Sequence, residues 1–90
     1  MTLLSDEQVR ERLSKLRGWE RSGGEIRKVY PFASFAEGMA FANRVAAVAD
    51  TLDHHPDMLI QYRQVTLTLT SHDAGGLTER DFRLARRIDE

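Results

Sequence analysis

The spacing of apolar and polar residues predicts seven elements, in the order helix, strand, strand, helix, strand, strand, helix. Three segments carry apolar residues at helical spacing behind a capping residue, and these caps are Ser5, Ser34 and Thr78. The first helix is expected to stop near Gly18, and the second, which is the longest, runs to about Asp50. Because the second helix has a wide apolar face rich in alanine, we expect it to lie closely on a sheet.

Four shorter runs have the character of β-strands. Residues 22–24 (Ser-Gly-Gly) tolerate positive φ and therefore predict a tight turn between the first two runs. The fourth run, residues 65–72, alternates strictly, with valine and leucines on one face and threonines and His72 on the other. Since hairpin strands are antiparallel, the pattern predicts one α+β domain over residues 1–90, with helices packed on one face of a four-stranded antiparallel sheet.

Composition and charge exclude several classes of function. The 13 basic and 14 acidic residues nearly cancel, so the chain lacks the basic footprint of a protein that binds nucleic acid or an anionic membrane. The absence of cysteine excludes disulfides, a thiolate nucleophile and cysteine-bound zinc. No apolar run approaches the ~20 residues of a membrane span, and the N-terminus lacks a signal-peptide pattern, so we expect a cytoplasmic protein. A four-stranded sheet leaves edges and an uncovered face, which predicts a homo-oligomer.

Candidate chemistry is concentrated in residues 50–57, the segment Asp-Thr-Leu-Asp-His-His-Pro-Asp. Pro56 disfavours the α conformation at His55, so the preceding helix is expected to end at or before His55 and to leave His54 and His55 at a helix-to-strand corner. Side chains at such a corner can face a pocket, and histidine changes its charge near neutral pH. The alternative is a polar turn with two solvated histidines.

With these motifs in place, nearly the whole chain resembles the pterin-4a-carbinolamine dehydratase family. The matching segments are residues 18–19, 35–41, 44–46, 52–57, 62, 71–73 and 76–81. The resemblance implies removal of water from 4a-hydroxytetrahydropterins, giving the quinonoid dihydropterin, in support of a pterin-dependent aromatic amino acid hydroxylase. It also implies a homodimer or homotetramer, with neither a metal nor an organic cofactor.

The resemblance also assigns roles to individual residues. His54 and His72 become the candidates for proton transfer, and His55 becomes chiefly a binding or supporting residue. Substrate-binding roles are implied for seven further residues, which are Asp50, Asp53, Met58, Thr70, Ser71, Asp73 and Asp81. Asp81 could orient a histidine, but its place as the third residue of a helix gives it a sufficient role as a cap.

The chain makes two departures from the family pattern. Relatives often carry Glu-Lys where this chain has Asp50 and Thr51, and often an aromatic residue, commonly Trp, where it has Met58. Asp50 retains a carboxylate on a shorter arm, and Met58 can press on a flat ring without an aromatic face. The departures therefore bear on substrate affinity more than on the type of reaction.

Two other functions compete with the dehydratase. The three histidines could join a carboxylate in a metal site, although adjacent histidines rarely aim at one ion. The domain could also be a non-catalytic dimerisation or assembly cofactor of a larger protein, which its exposed threonine face and small size permit. Animal members of the family also act as a dimerisation cofactor for a homeodomain transcription factor.

Overall fold

The computed structural model describes residues 2–90 and has the predicted order of elements. The elements are α1 (Asp6–Leu13), β1 (Glu20–Ser22), β2 (Glu25–Pro31), α2 (Phe35–Leu52), β3 (Asp57–Gln61), β4 (Gln64–Leu69) and α3 (Glu79–Ile88). Ser5, Ser34 and Thr78 are the N-caps of the three helices, as the sequence indicates. Among the described residues, no helix has both the length and the apolar character needed to cross a bilayer.

The four strands form one antiparallel sheet in the order β1-β2-β4-β3. The β1–β2 hairpin turns at residues 23–24, where Gly23 has a φ of +59°. On the central strand β4, Val65, Leu67 and Leu69 are fully buried against the helices. The predicted alternation of β4 and the α+β architecture are therefore confirmed.

The core lies between this face of the sheet and the helices, and α2 and α3 also contact each other. The helices contribute buried residues that repeat at helical spacing, which are Phe41, Val45 and Ala49 from α2 and Phe82, Leu84, Ala85 and Ile88 from α3. The opposite face of the sheet is uncovered, and there Val29 and Leu59 flank Thr66 across the ladder. The helices therefore all support one side of the sheet.

The fourth strand is shorter than its alternation suggests. It ends at Leu69, and residues 72–75 form a turn that is closed by a bridge between Ser71 and Gly76. The Ser71 carbonyl accepts hydrogen bonds from the amides of residues 74, 75 and 76, and Gly75 has a φ of +80°. These local hydrogen bonds take the place of bonds to a neighbouring strand. His72 therefore lies in a turn, and strand alternation does not set the direction of its side chain.

The end of the first helix also differs from the prediction. The first helix ends at Leu13 rather than near Gly18, because the chain tightens into turns in which Lys15 and Leu16 donate to carbonyls three residues earlier. The second helix continues to Leu52 and is capped by Asp53 in the left-handed conformation, with a φ of 52°.

A carboxylate at the C-terminal end of α3 ties that helix to the sheet. Asp89 accepts hydrogen bonds from Trp19 Nε1 at 2.8 Å, Lys28 Nζ at 3.1 Å and Tyr30 OH at 2.6 Å. Burial, the hydrogen bond to Asp89 and the charge of Asp89 raise the pKa of Tyr30 above its ordinary value. The neutral phenol is therefore the form that the fold stabilises.

We expect this contact to make stability fall at alkaline pH. A raised pKa in the folded state means that Tyr30 contributes stability fully below pH ~10 and loses it as pH rises further, because the unfolded chain then loses the proton first. Tyr30→Phe should lower the free energy of unfolding by about 1 to 2 kcal/mol at neutral pH and should make the alkaline fall shallower. Urea unfolding at several pH values checks this, with Tyr62→Phe at an exposed tyrosine as control. An unchanged alkaline slope in Tyr30→Phe would contradict it.

Candidate active site

The predicted corner that carries the adjacent histidines is present. The left-handed Asp53 ends α2, and the amide of His54 donates to the carbonyl of Ala49, which closes the last turn. The chain then passes through Pro56 into β3, which begins at Asp57. The end of the helix therefore fixes the backbone of His54, while His55 lies on the exposed side of the corner.

His54 is buried and bound to a buried carboxylate. Its Nε2 lies 2.6 Å from Asp81 Oδ1, and Asp81 is fully buried. The second oxygen, Asp81 Oδ2, accepts from Ser71 Oγ at 2.9 Å and from the amide of Thr78 at 2.9 Å. Because an ionised carboxylate can only accept, this arrangement assigns a proton to Nε2 of His54.

The other ring nitrogen of His54 is free. Within residues 2–90 the Nδ1 atom has no hydrogen-bond partner, and the only buried side-chain nitrogen or oxygen without one is Arg80 Nε. His54 as a whole is only 8% exposed, so Nδ1 is a ring nitrogen without a partner in a largely buried side chain. This nitrogen is the one available to exchange a proton with a ligand.

Asp81 combines the two roles that the sequence left as alternatives. Its Oδ2 closes the capping box of α3 with Thr78, and its Oδ1 contacts His54. A buried carboxylate with three donors is satisfied, whereas an unpaired one would be costly. The capping role therefore does not compete with the contact to the histidine.

His55 has a carboxylate partner of its own in a different environment. Its Nε2 lies 2.8 Å from Asp50 Oδ1, and the two side chains are 56% and 78% exposed. The corner therefore carries two histidine–carboxylate pairs, one buried and one open to solvent. An exposed pair of this kind orients a ring but adds little stability.

The third histidine is next in sequence to a residue that contacts the same buried carboxylate. His72 is exposed and directly follows Ser71, whose hydroxyl shares Asp81 with His54. The register points the same way, because Asp57 is paired with Thr68 and the chain before β3 therefore runs beside the chain after β4. The connection between β4 and α3 is thus fastened next to the histidine corner.

The remaining candidates differ in how accessible they are. Asp53 is exposed, and Met58 lies opposite Leu67 on the edge strand β3, 37% exposed. By contrast, the hydroxyl of Ser71 is buried, since that residue is 1% exposed. Asp53 and Met58 are therefore open to a ligand, whereas the Ser71 side chain is not.

Two further candidates already have partners within the chain. The hydroxyl of Thr70 donates to the carbonyl of Gly24 at 2.6 Å. Asp73 pairs with Arg80 at 2.5 Å, and this hydrogen bond holds the pKa of Asp73 below its ordinary value. Asp73 and Arg80 together brace the turn that carries His72.

Sequence reasoning did not identify Thr78 or Arg80 as parts of the site. Thr78 was assigned only as a helix cap, although its hydroxyl lies 2.8 Å from Ser71 Oγ. The available signal was the spacing of a capping box that has Asp81 as its acidic member, because such an aspartate has a second oxygen to offer. Arg80 gave no local signal, since its pairing with Asp73 depends on the turn between them.

The geometry does not favour a metal ion. No group of three histidine, aspartate or glutamate side chains within residues 2–90 is arranged to bind one ion. The Nε2 atoms of His54 and His55 each face a separate carboxylate. A cavity of about 500 Å³ lies between the turn after α1, strand β2 and the C-terminal end of α3; its lining is mostly charged, with Lys15 and Arg86 among it, and includes no histidine. The exposed side chains of His55 and Asp50 leave the histidine corner open to solvent.

Comparison with known proteins identifies the family. The family model described as pterin 4 alpha carbinolamine dehydratase matches residues 2–90. A relative from Roseiflexus sp. (strain RS-1) is 54% identical over 89 residues, covering 99% of this chain and 96% of the relative. One from Sulfurisphaera tokodaii is 44% identical over 90 residues, covering 100% and 97%. Both carry the name "Putative pterin-4-alpha-carbinolamine dehydratase".

Solved structures with the same fold have been given more than one role. A crystal structure described as a transcriptional coactivator/pterin dehydratase from Brucella melitensis has a TM-score of 0.93 at 31% identity, covering 98% of this chain and 96% of that one. A pterin dehydratase-like protein identified as a RuBisCO assembly factor in the α-carboxysome has a TM-score of 0.63 at 25% identity, covering 79% and 82%. From the match along its whole described length, this chain belongs to the pterin-4a-carbinolamine dehydratase family.

Proposed function

We propose that the protein catalyses dehydration of a 4a-hydroxytetrahydropterin to the quinonoid dihydropterin and water. The observation that carries the proposal is the pair of His54 and Asp81, buried beside an exposed His55 and fastened to the turn that carries His72. In a chain of the dehydratase family, this arrangement supplies oriented proton donors and acceptors at an open corner.

The reaction requires two proton transfers. The bond between C4a and its hydroxyl oxygen breaks, and a donor protonates the departing oxygen so that it leaves as water. The proton on N5 goes to an acceptor, and the electrons of the N5–H bond form the C4a=N5 double bond. Imidazolium and imidazole can perform these steps near neutral pH, and each typically contributes 10²–10⁴-fold in rate.

The roles of the histidines follow from their partners. Asp81 keeps the proton on Nε2 of His54, so Nδ1 is the nitrogen that exchanges a proton with substrate. His72 is the second proton-transfer group, on a turn that is free of the core. His55, oriented by Asp50, binds and supports the substrate.

Substrate binding is assigned to the accessible groups around the corner. A pterin ring offers amide-like donors and acceptors, which suit the exposed carboxylates of Asp50 and Asp53. Met58 lies on the neighbouring edge strand, where its thioether can press on a flat ring. Thr70 and Asp73 border the site with their side chains already engaged by Gly24 and Arg80.

We further propose that the active form is a homodimer or homotetramer in the cytoplasm. The support is the uncovered face of the sheet, where Val29 is 46% and Leu59 57% exposed. In this setting the reaction would return the pterin used by an aromatic amino acid hydroxylase, and a reductase would complete the return to tetrahydropterin.

The second candidate function is a non-catalytic dimerisation or assembly factor. It is favoured by the likeness to a pterin dehydratase-like RuBisCO assembly factor and to a protein described as both coactivator and dehydratase. A direct assay of 4a-carbinolamine dehydration by the purified protein separates the candidates, since an assembly factor with an unused site would not accelerate the reaction.

Replacing His72 tests the site without disturbing the fold. His72→Ala is expected to lower the dehydration rate by roughly 10²-fold or more, the low end of the contribution of an acid–base group. Because His72 is exposed, the free energy of unfolding should change by less than about 1 kcal/mol. Turnover and the urea midpoint are measured together, with Gln64→Ala at the other end of β4 as control. Near-normal turnover with a large drop in the midpoint would mean that His72 is scaffold.

The two carboxylates that orient histidines should differ sharply in their effect on stability. Asp81→Asn places an amide where three donors converge in the core, so we expect a loss of about 2 to 4 kcal/mol in the free energy of unfolding. The matched variant Asp50→Asn changes an exposed pair and should stay within about 0.5 kcal/mol. Urea unfolding of both variants makes the comparison, and equal small losses would contradict a buried charge at Asp81.

Removal of metal ions tests the competing chemistry. Since the proposed mechanism is proton transfer by imidazoles alone, dialysis against a strong chelator is expected to leave the dehydration rate unchanged. The protein is purified without an affinity tag so that no metal is introduced by a histidine tag. A loss of rate that zinc restores would instead favour a metal site at the histidines.

A further inference from the structure

Two hydroxyls extend the contact between His54 and Asp81 into the start of α3. Ser71 Oγ lies 2.9 Å from Asp81 Oδ2 and 2.8 Å from Thr78 Oγ1, and all of these groups are buried. Thr78 Oγ1 also accepts from the amide of Arg80 at 3.3 Å. Nothing in the family resemblance or in the proposed mechanism uses the hydroxyl of Thr78.

The direction of these hydrogen bonds follows from the number of protons. Ser71 has one hydroxyl proton, and the carboxylate of Asp81 can only accept, so Ser71 donates to Asp81. The bond between the hydroxyls must then be donated by Thr78 to Ser71. The order is therefore the Arg80 amide to Thr78, Thr78 to Ser71, and Ser71 to Asp81, with His54 on the other oxygen.

We propose that Ser71 and Thr78 are positioning residues for His54, acting through Asp81. This inference rests on the proposed function for its catalytic consequence, but its structural part stands without it. Ser71 and the Thr78 amide hold Oδ2 from two sides, so the plane of the carboxylate is fixed and Oδ1 points at Nε2 of His54. In this way the cap of α3 orients the imidazole of His54. The buried Ser71 acts through Asp81 and does not contact substrate.

The test uses four variants. Ser71→Ala removes the hydroxyl that donates to Asp81. Thr78→Val removes the hydroxyl that donates to Ser71, at nearly constant side-chain volume. Thr78→Ser keeps a hydroxyl and should rescue the properties that Thr78→Val loses. Ser5→Ala is the matched control, because it breaks the capping box of α1, whose two side-chain hydrogen bonds join only the exposed residues Ser5 and Gln8.

The first measurement is NMR of the proton on His54 Nε2, assigned with His54→Asn. A short hydrogen bond in a buried place should give the wild type a separate downfield signal in water. Ser71→Ala and Thr78→Val are expected to accelerate exchange of this proton with water by about tenfold or more, as its partner becomes free to turn. Thr78→Ser and Ser5→Ala should keep the wild-type exchange rate.

The second measurement is steady-state dehydration at a temperature where all variants are folded. Ser71→Ala and Thr78→Val should lower kcat by about tenfold with little change in KM, which is the scale of one lost hydrogen bond, while Ser5→Ala stays at the wild-type rate. Unchanged exchange of the His54 proton in both variants overturns the proposal, as does altered exchange with an unchanged kcat. A wild type without dehydratase activity overturns the proposed function instead, and the exchange measurement still decides whether the hydroxyls position His54.

Discussion

The rest of this structure depends on the burial of one charge. Asp81 is fully buried, and a carboxylate in that position is tolerated only if donors reach both of its oxygens. Those donors come from three segments, namely the corner after α2, the connection after β4 and the cap of α3. The requirement to satisfy this carboxylate therefore gathers the segments on which the histidines lie.

Helix α3 is fixed at both ends by carboxylates that accept hydrogen bonds from other parts of the fold. Asp81 in its first turn holds the histidine corner, and Asp89 after its last turn accepts from Trp19, Lys28 and Tyr30. Between them Phe82, Leu84 and Ala85 are buried in the core. Because α3 is anchored in this way, its first turn is a rigid platform for a site that is otherwise open to solvent.

Much of the fold could be read from the sequence because its signals are local. Capping residues, the Gly23-Gly24 turn and the proline after His55 each act on their own neighbours, and each is present as expected. The place of His72 could not be predicted from alternation, since the bonds that close its turn converge on a single carbonyl, that of Ser71. The double role of Asp81 was open for a related reason, because its second partner is 27 residues away.

The left-handed conformation of Asp53 has a consequence for how the binding surface can change over evolution. A φ of 52° is strained for most side chains, but aspartate and asparagine adopt it readily and glycine does so without penalty. An exchange of Asp53 for asparagine would therefore remove a negative charge beside the histidines while leaving the backbone satisfied. Substitutions at position 53 can therefore change the charge beside the histidines without changing the stability of the fold.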